Sequence, residues 1–277
     1  MSHAFHQVDV FTAEALRGNP LAVVHDAAGL DDERMAALAR WTNLSETAFL
    51  LPPTDPAADY QVRIFTPFGE LPFAGHPTLG SGWAWLATGG TPRTPDRLVQ
   101  QCGVGLVPLR REGRRLAFAA PPLRRTGALE PEVLAQARAG LGLDASEVRA
   151  HQWVDNGPGW AALLLHSAER VRALRPHWPA LGDLRLGVVG PCAAGAHAQF
   201  EVRAFIGGDV PFEDPVTGSL NAGLAQWLMG AGLAPDSYVG TQGAALRRGG
   251  LLHLRREGAT VWVGGDVTPV IEGRITL

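Results

Sequence analysis

The sequence predicts an α+β protein of two similar halves, each a curved, mostly antiparallel sheet wrapped around one apolar helix. Three observations carry this. The segment PFAGHPTLGSGWAWL at 72–86 has a partner, PFEDPVTGSLNAGLAQWL at 211–228, and each follows a strand-like run, VRIF at 62–65 and VRAF at 202–205. Runs that alternate apolar and polar residues outnumber helical ones, which argues against a parallel βαβ array. With 277 residues the chain holds two domains of ordinary size, and the repeat is too long for a solenoid.

In chain order, FHQVDVF at 5–11 alternates as a strand. RGNP at 17–20 turns the chain into a second strand, LAVV at 21–24. Asp31 and Asp32 open an amphipathic helix to about Trp41, with Met35, Leu38, Ala39 and Trp41 as its apolar side. NLSETAFL at 43–50 is loop and strand. After the first repeat helix, about 77–87, a Gly- and Pro-rich loop runs to 96, and alternating segments at 98–109 and 114–120 continue the sheet. Pro121-Pro122 ends the first half, giving domains 1–122 and 123–277, with the last strand, about 266–277, able to cross back to the first. The second half has a helix near 130–141, strands near 151–154, 161–166, 185–189 and 202–205, a helix at 215–231, and strands near 251–255, 260–264 and 269–276.

Composition excludes several function classes. Net charge is −3 and no basic cluster is interleaved with aromatics, so a nucleic-acid footprint is missing. The arginine pairs are read as solvated turns and strand ends. All 24 basic residues are arginine, which removes the primary amine that a pyridoxal-phosphate Schiff base needs. Cys102 and Cys192 have no metal-ligand spacing, and HExxH, GxSxG and a strand-borne GxGxxG are missing. No metal is expected. The first residues, MSHAFHQVDVF, do not read as a signal or transit peptide, and no apolar run is long enough to span a membrane. The expected setting is cytoplasmic.

Pro77 and Pro215 each fit the first position of a helix, which makes His76 and Asp214 the expected N-caps. First-turn N–H groups lack intrahelical partners and lie at the positive end of the helix dipole. Two such ends facing each other would hold an anion, so the expected ligand is a small carboxylate in a cleft between the halves.

VDVFTAEALRGNPLAVV at 8–24, NLSETAFL at 43–50, RIFTPFGELPFAGHPTLG at 63–80 and EDPVTGSLNAGLAQWL at 213–228 together resemble the PhzF family of phenazine-biosynthesis-like isomerases, from the first strand to the last. The resemblance implies a pseudo-symmetric fold like that of diaminopimelate epimerase, an active site at the domain cleft, no cofactor, a homodimer, and proton transfer of the kind that isomerises trans-2,3-dihydro-3-hydroxyanthranilate. By motif it makes Glu46 the acid/base, with His76 and Asp214 as further catalytic residues and Ser219 at the substrate. Two positions depart from the common pattern: Leu220 replaces an alanine, and Phe73 stands where other residues occur. Both point to altered substrate choice.

The residues themselves support these roles alongside structural ones. Glu46 lies among Leu44, Ala48, Phe49 and Leu50, where burial would raise a carboxyl pKa into the useful range, although a glutamate at a strand entrance also serves as a structural partner. His76 can cap a helix or set the protonation of a neighbouring carboxylate. Asp214 can cap and also orient a substrate amine or hydroxyl. Gly75, Gly218 and Ser219 would let backbone approach a ligand and present N–H or hydroxyl donors. Thr78 and Thr217 read as parts of the helix turns, Glu70 and Glu213 as parts of the turns before the helices, Asn19 as an αL or Asx turn, and Arg247 as a surface residue. The alternatives are an epimerase with two opposed bases and a non-catalytic carboxylate-binding protein. The expected partners are a small-molecule carboxylate and a second copy of the chain, with no nucleic acid and no membrane.

Overall fold

A computed structural model describes residues 2–277. The chain forms two compact units, Met1–Ala119 with Gly264–Leu277 and Ala120–Val263.

In the first unit, β1 (Ser2–Val10) pairs antiparallel with β2 (Asn19–Val24) and with the last strand of the chain, β17 (Val267–Thr276). β3 (Glu46–Leu51) lies parallel to β2 and antiparallel to β4 (Tyr60–Thr66). The short β5 (Gly69–Leu71) folds back on β4, β6 (Arg97–Cys102) lies parallel to β4, and β7 (Gly105–Glu112) and β8 (Arg115–Ala119) complete a meander. Parallel neighbours require a crossover. Helix α1 (Asp32–Thr42) crosses between β2 and β3, and α2 (Gly75–Ala87) between β4 and β6.

α1 starts where expected, with the Asp31 side chain accepting the Arg34 N–H. Its inner face, Met35, Leu38 and Ala39, packs with Val24, Leu30, Phe49 and Phe65. Trp41, expected on that face, is instead 80% exposed. The segment expected as one strand at 98–109 is broken into β6 and β7 by a hairpin turn at Gly103 and Val104.

α2 is apolar on every side because strands cover it on every side: it contacts β1, β2, β3 and β8. Its glycines set the approach. A Cβ at Gly80 would come within 2.5 Å of Leu21 Cδ2.

The second unit repeats the plan. β9 (Val148–Trp153) is antiparallel to β10 (Trp160–Leu165), which is parallel to β11 (Arg185–Pro191). β12 (Phe200–Ile206) is antiparallel to β11 and to the short β13 (Phe212–Asp214), and parallel to β14 (Ser237–Gln242). β15 (Gly250–Glu257) and β16 (Thr260–Gly265) follow. α3 (Pro131–Leu141) covers the outer core. The small helices α4 (Ala168–Ala173) and α5 (Trp178–Leu181) cross between β10 and β11, and α6 (Gly218–Gly230) crosses between β12 and β14. α4, α5, β5 and β13 are too short for periodicity to reveal. Leu163, Leu165, Val171, Leu181, Leu186, Val188 and Phe205 form the center of this core. α6 approaches even more closely than α2: a Cβ at Gly223 would lie 2.3 Å from the Val154 carbonyl oxygen.

Candidate active site

The two helix starts begin elsewhere than the prolines suggest. α2 opens at Gly75 with Ala74 as its N-cap, so His76 and Pro77 lie inside the first turn. α6 opens at Gly218 with Thr217 as its N-cap, so Pro215 is in the preceding turn and Asp214 ends β13. The expected capping by His76 and Asp214 is therefore corrected. Matching the hairpins and helix starts pairs Pro72 with Pro215, Ala74 with Thr217, Gly75 with Gly218, and His76 with Ser219 rather than with Asp214.

In the first unit, local structure delivers Glu46 and His76 to one place. α1 ends on Asn43 in the left-handed conformation (φ 52°), a conformation that asparagine tolerates. Its N–H caps Ala39, and the chain turns into β3, whose first residue is Glu46, opposite Leu21 of β2. Glu46 Oε2 lies 3.3 Å from His76 Nε2, with side-chain exposures of 15% and 6%. Both contacting atoms are shielded from solvent. Burial lowers the pKa of His76 from 6.5 to about 3, so the imidazole is neutral at neutral pH. The contact puts a carboxyl and a neutral ring within reach of each other in a shielded place.

The first turn of α2 is held by residues outside the recognised motifs. The Ala74 carbonyl accepts from the Thr78 N–H (3.2 Å) and hydroxyl (2.9 Å). Gln100 Nε2 donates to Thr78 Oγ1 at 3.0 Å, and the Tyr60 hydroxyl donates to Gln100 Oε1 at 3.2 Å. Burial pushes the Tyr60 phenol well above its usual pKa, which keeps it a donor.

The second unit uses a corresponding glutamine. Gln242, at the end of β14, accepts from the Thr217 N–H (3.1 Å) and Asn221 Nδ2 (2.8 Å), and donates to the Asp214 carbonyl (2.9 Å) and Thr217 Oγ1 (2.9 Å). All four of its hydrogen-bonding positions are used. Because Thr217 accepts from Gln242, its own proton goes to Asp214 Oδ2. Asp214 is thus fixed beside the start of α6 with Gly218 and Ser219. Ser219 receives the Trp160 indole N–H on Oγ (3.0 Å) and Asn156 Nδ2 on its carbonyl (2.8 Å).

The turns before both helices carry one repeated clamp. Arg63 and Arg203, from VRIF and VRAF, form bidentate pairs with Glu70 and Glu213, and each guanidinium lies over the phenylalanine two residues on. Glu70 and Glu213 are turn-holding residues, as expected. Arg247 is exposed on a left-handed turn residue. Asn19 does not take the expected αL conformation: it is the first residue of β2 and is fully buried. Among the described residues no three His, Cys, Asp or Glu side chains are grouped as a metal site would require.

Gln100, Asn156 and Trp160 are supporting residues that lie outside the motifs carrying Glu46, Gly75, His76, Asp214, Gly218 and Ser219. The available signal was the pairing of Gln100 with Gln242 one strand after each repeat helix.

Comparison with known proteins places this arrangement. The family described as phenazine biosynthesis-like protein (PhzC-PhzF) matches residues 8–273. A Pseudomonas aeruginosa protein named trans-2,3-dihydro-3-hydroxyanthranilate isomerase is 35% identical, over 99% of this chain and 100% of its own. Antisense-enhancing sequence 1 of Schizosaccharomyces pombe is 32% identical, over 98% of each chain. A crystal structure of a PhzF-family phenazine biosynthesis protein from Enterococcus faecalis superposes with a TM-score of 0.81 at 26% identity, covering 100% of both chains. With four ordered motifs, the repeated helix starts and these full-length matches in agreement, the chain belongs to the phenazine biosynthesis-like PhzC-PhzF family and is an isomerase of that family.

Proposed function

We propose that the protein isomerises a small carboxylate-containing metabolite without a cofactor, with Glu46 taking a proton from an acidic carbon and returning it elsewhere on the same molecule. The observation that supports this best is the shielded contact between Glu46 and a neutral His76 at 3.3 Å. His76 fixes the protonation of Glu46 between the two half-reactions. Asp214 is assigned to a substrate amine or hydroxyl, and Gly75, Gly218 and Ser219 to the substrate carboxylate and the developing enolate charge. The relative named trans-2,3-dihydro-3-hydroxyanthranilate isomerase supplies the compound to try first.

Transfer by one glutamate is favoured over epimerisation by two opposed bases. Corresponding positions of the two helices carry His76 and Ser219, and a serine hydroxyl is not a base matched to an imidazole. The test is turnover of that compound in deuterium oxide by wild type and by Glu46→Gln, with deuterium expected in the wild-type product.

The same reading includes a cytoplasmic homodimer. Neither Cys102 nor Cys192 is in a disulfide. For self-association the supporting surface lies in the first unit: the exposed Trp41 and Ile271 line a pocket of about 490 Å³ with Phe5, Leu44 and Ile275, beside β17, which is exposed from Pro269 to Arg274. An antiparallel pairing of two β17 strands about Gly273 would set Glu272 of each copy against Arg274 of the other, a self-complementary arrangement.

A further inference from the structure

We propose that Trp160 and Asn156 are positioning residues that commit the Ser219 hydroxyl to donating a hydrogen bond to an anionic oxygen of the substrate; this rests on the assignment of Ser219 to substrate. An indole N–H only donates, and Trp160 Nε1 lies 3.0 Å from Ser219 Oγ. The serine oxygen is therefore the acceptor in that bond, and its proton points elsewhere. Among the described residues no second partner of Oγ is present. A serine whose oxygen was unclaimed would rotate freely between donating and accepting. With the indole on one lone pair, the hydroxyl proton is turned away from Trp160 toward a substrate acceptor, and a carboxylate oxygen is the acceptor that the proposed substrate provides.

The donors are built to stay in place. Trp160 is buried to 2% exposure, and Asn156 Nδ2 holds the Ser219 carbonyl at 2.8 Å, so backbone and side chain of the same residue are gripped separately. Both grips come from one turn, closed by Asp155 Oδ1, which accepts the N–H groups of Gly157 (2.7 Å) and Gly159 (2.6 Å). The same turn rests on α6 one helical turn further along, where Gly223 leaves room for the Val154 carbonyl. The turn and the helix start are thereby fixed to each other at two heights. At the corresponding position of α2 stands His76, which faces the acid/base residue Glu46. One helix start carries the proton chemistry, and the other carries a donor of fixed direction.

The test compares wild type, Trp160→Phe, Ser219→Ala and the double variant, using trans-2,3-dihydro-3-hydroxyanthranilate as substrate and the Trp160 indole N–H resonance as a second readout. Each single variant should raise KM about tenfold with kcat changed less than about threefold, the scale of one hydrogen bond to a charged group. The double variant should be no worse than Ser219→Ala, because both changes remove one interaction. In Ser219→Ala the indole N–H signal should move upfield and exchange faster, a readout that needs neither substrate nor a stable Trp160→Phe protein. An unchanged KM in folded Trp160→Phe, additive losses in the double variant, or an unmoved indole signal in Ser219→Ala would each overturn the proposal. Lack of wild-type turnover would instead count against the proposed reaction, leaving the indole measurement to decide the positioning role.

Discussion

His76 is held neutral by burial, and that fixes how activity should respond to pH. Its folded pKa of about 3 lies far below the ordinary 6.5, so no loss of activity between pH 8 and 6 should trace to its protonation. His76→Asn, which removes the ring facing Glu46, should lower kcat by about 10- to 100-fold, within the range for a positioned acid–base group. A wild-type kcat/KM profile with an acid limb near pH 6.5 that vanishes in His76→Asn would contradict a neutral imidazole. Sequence reading reached the residue but not this state. The motif AGHPT marks His76, whereas its depth of burial depends on the strands packed around α2, among them β1, β2 and β3, which lie far from it in the chain.

At the scale of elements, the Arg–Glu clamp gives two copies of one motif in different surroundings. Arg203 and Glu213 have side-chain exposures of 4% and 8%, against 24% and 41% for Arg63 and Glu70. Arg203 also donates to the carbonyls of Val171 (3.2 Å) and Leu174 (2.8 Å). Arg203→Met, which strands a buried carboxylate, should cost about 3–5 kcal/mol in urea unfolding. Arg63→Met should cost about 1 kcal/mol or less; equal losses would refute burial as the deciding factor. The helices differ in the same manner. Gly223→Ala collides with backbone and should destabilise by about 1–3 kcal/mol, while Gly80→Ala meets the end of a leucine side chain and should cost less, helped by the better helix propensity of alanine. The duplication was legible because α2 and α6 are long and apolar throughout. Its register was not, since both segments offer a proline and a glycine near the helix start. Only the hairpins β4–β5 and β12–β13, invisible to periodicity, align Gly75 with Gly218 and His76 with Ser219. Trp41 shows the opposite limit: its place on the apolar stripe of α1 was legible, but not that the core ends before reaching it.

For the whole molecule, two buried histidines tie stability to pH. Burial, then the neighbouring His6, lowers His25 to about 4 despite the opposing Asp26, and burial lowers His76 to about 3. The unfolded chain protonates both near pH 6.5, so below that pH it binds more protons than the folded chain. Stability is therefore full above pH 6.5 and falls as pH drops toward 4. Urea midpoints should decline over this interval, and less steeply in His25→Gln; parallel declines would contradict the role of His25. Self-association is checked by light scattering: wild type should have twice the mass of the chain, and Trp41→Glu should be monomeric while remaining folded. Proton transfer by Glu46 is read out by turnover of trans-2,3-dihydro-3-hydroxyanthranilate in deuterium oxide. Wild type should place solvent deuterium in the product, and Glu46→Gln should lose at least about a hundredfold in kcat. Full activity in Glu46→Gln would contradict proton transfer by this glutamate.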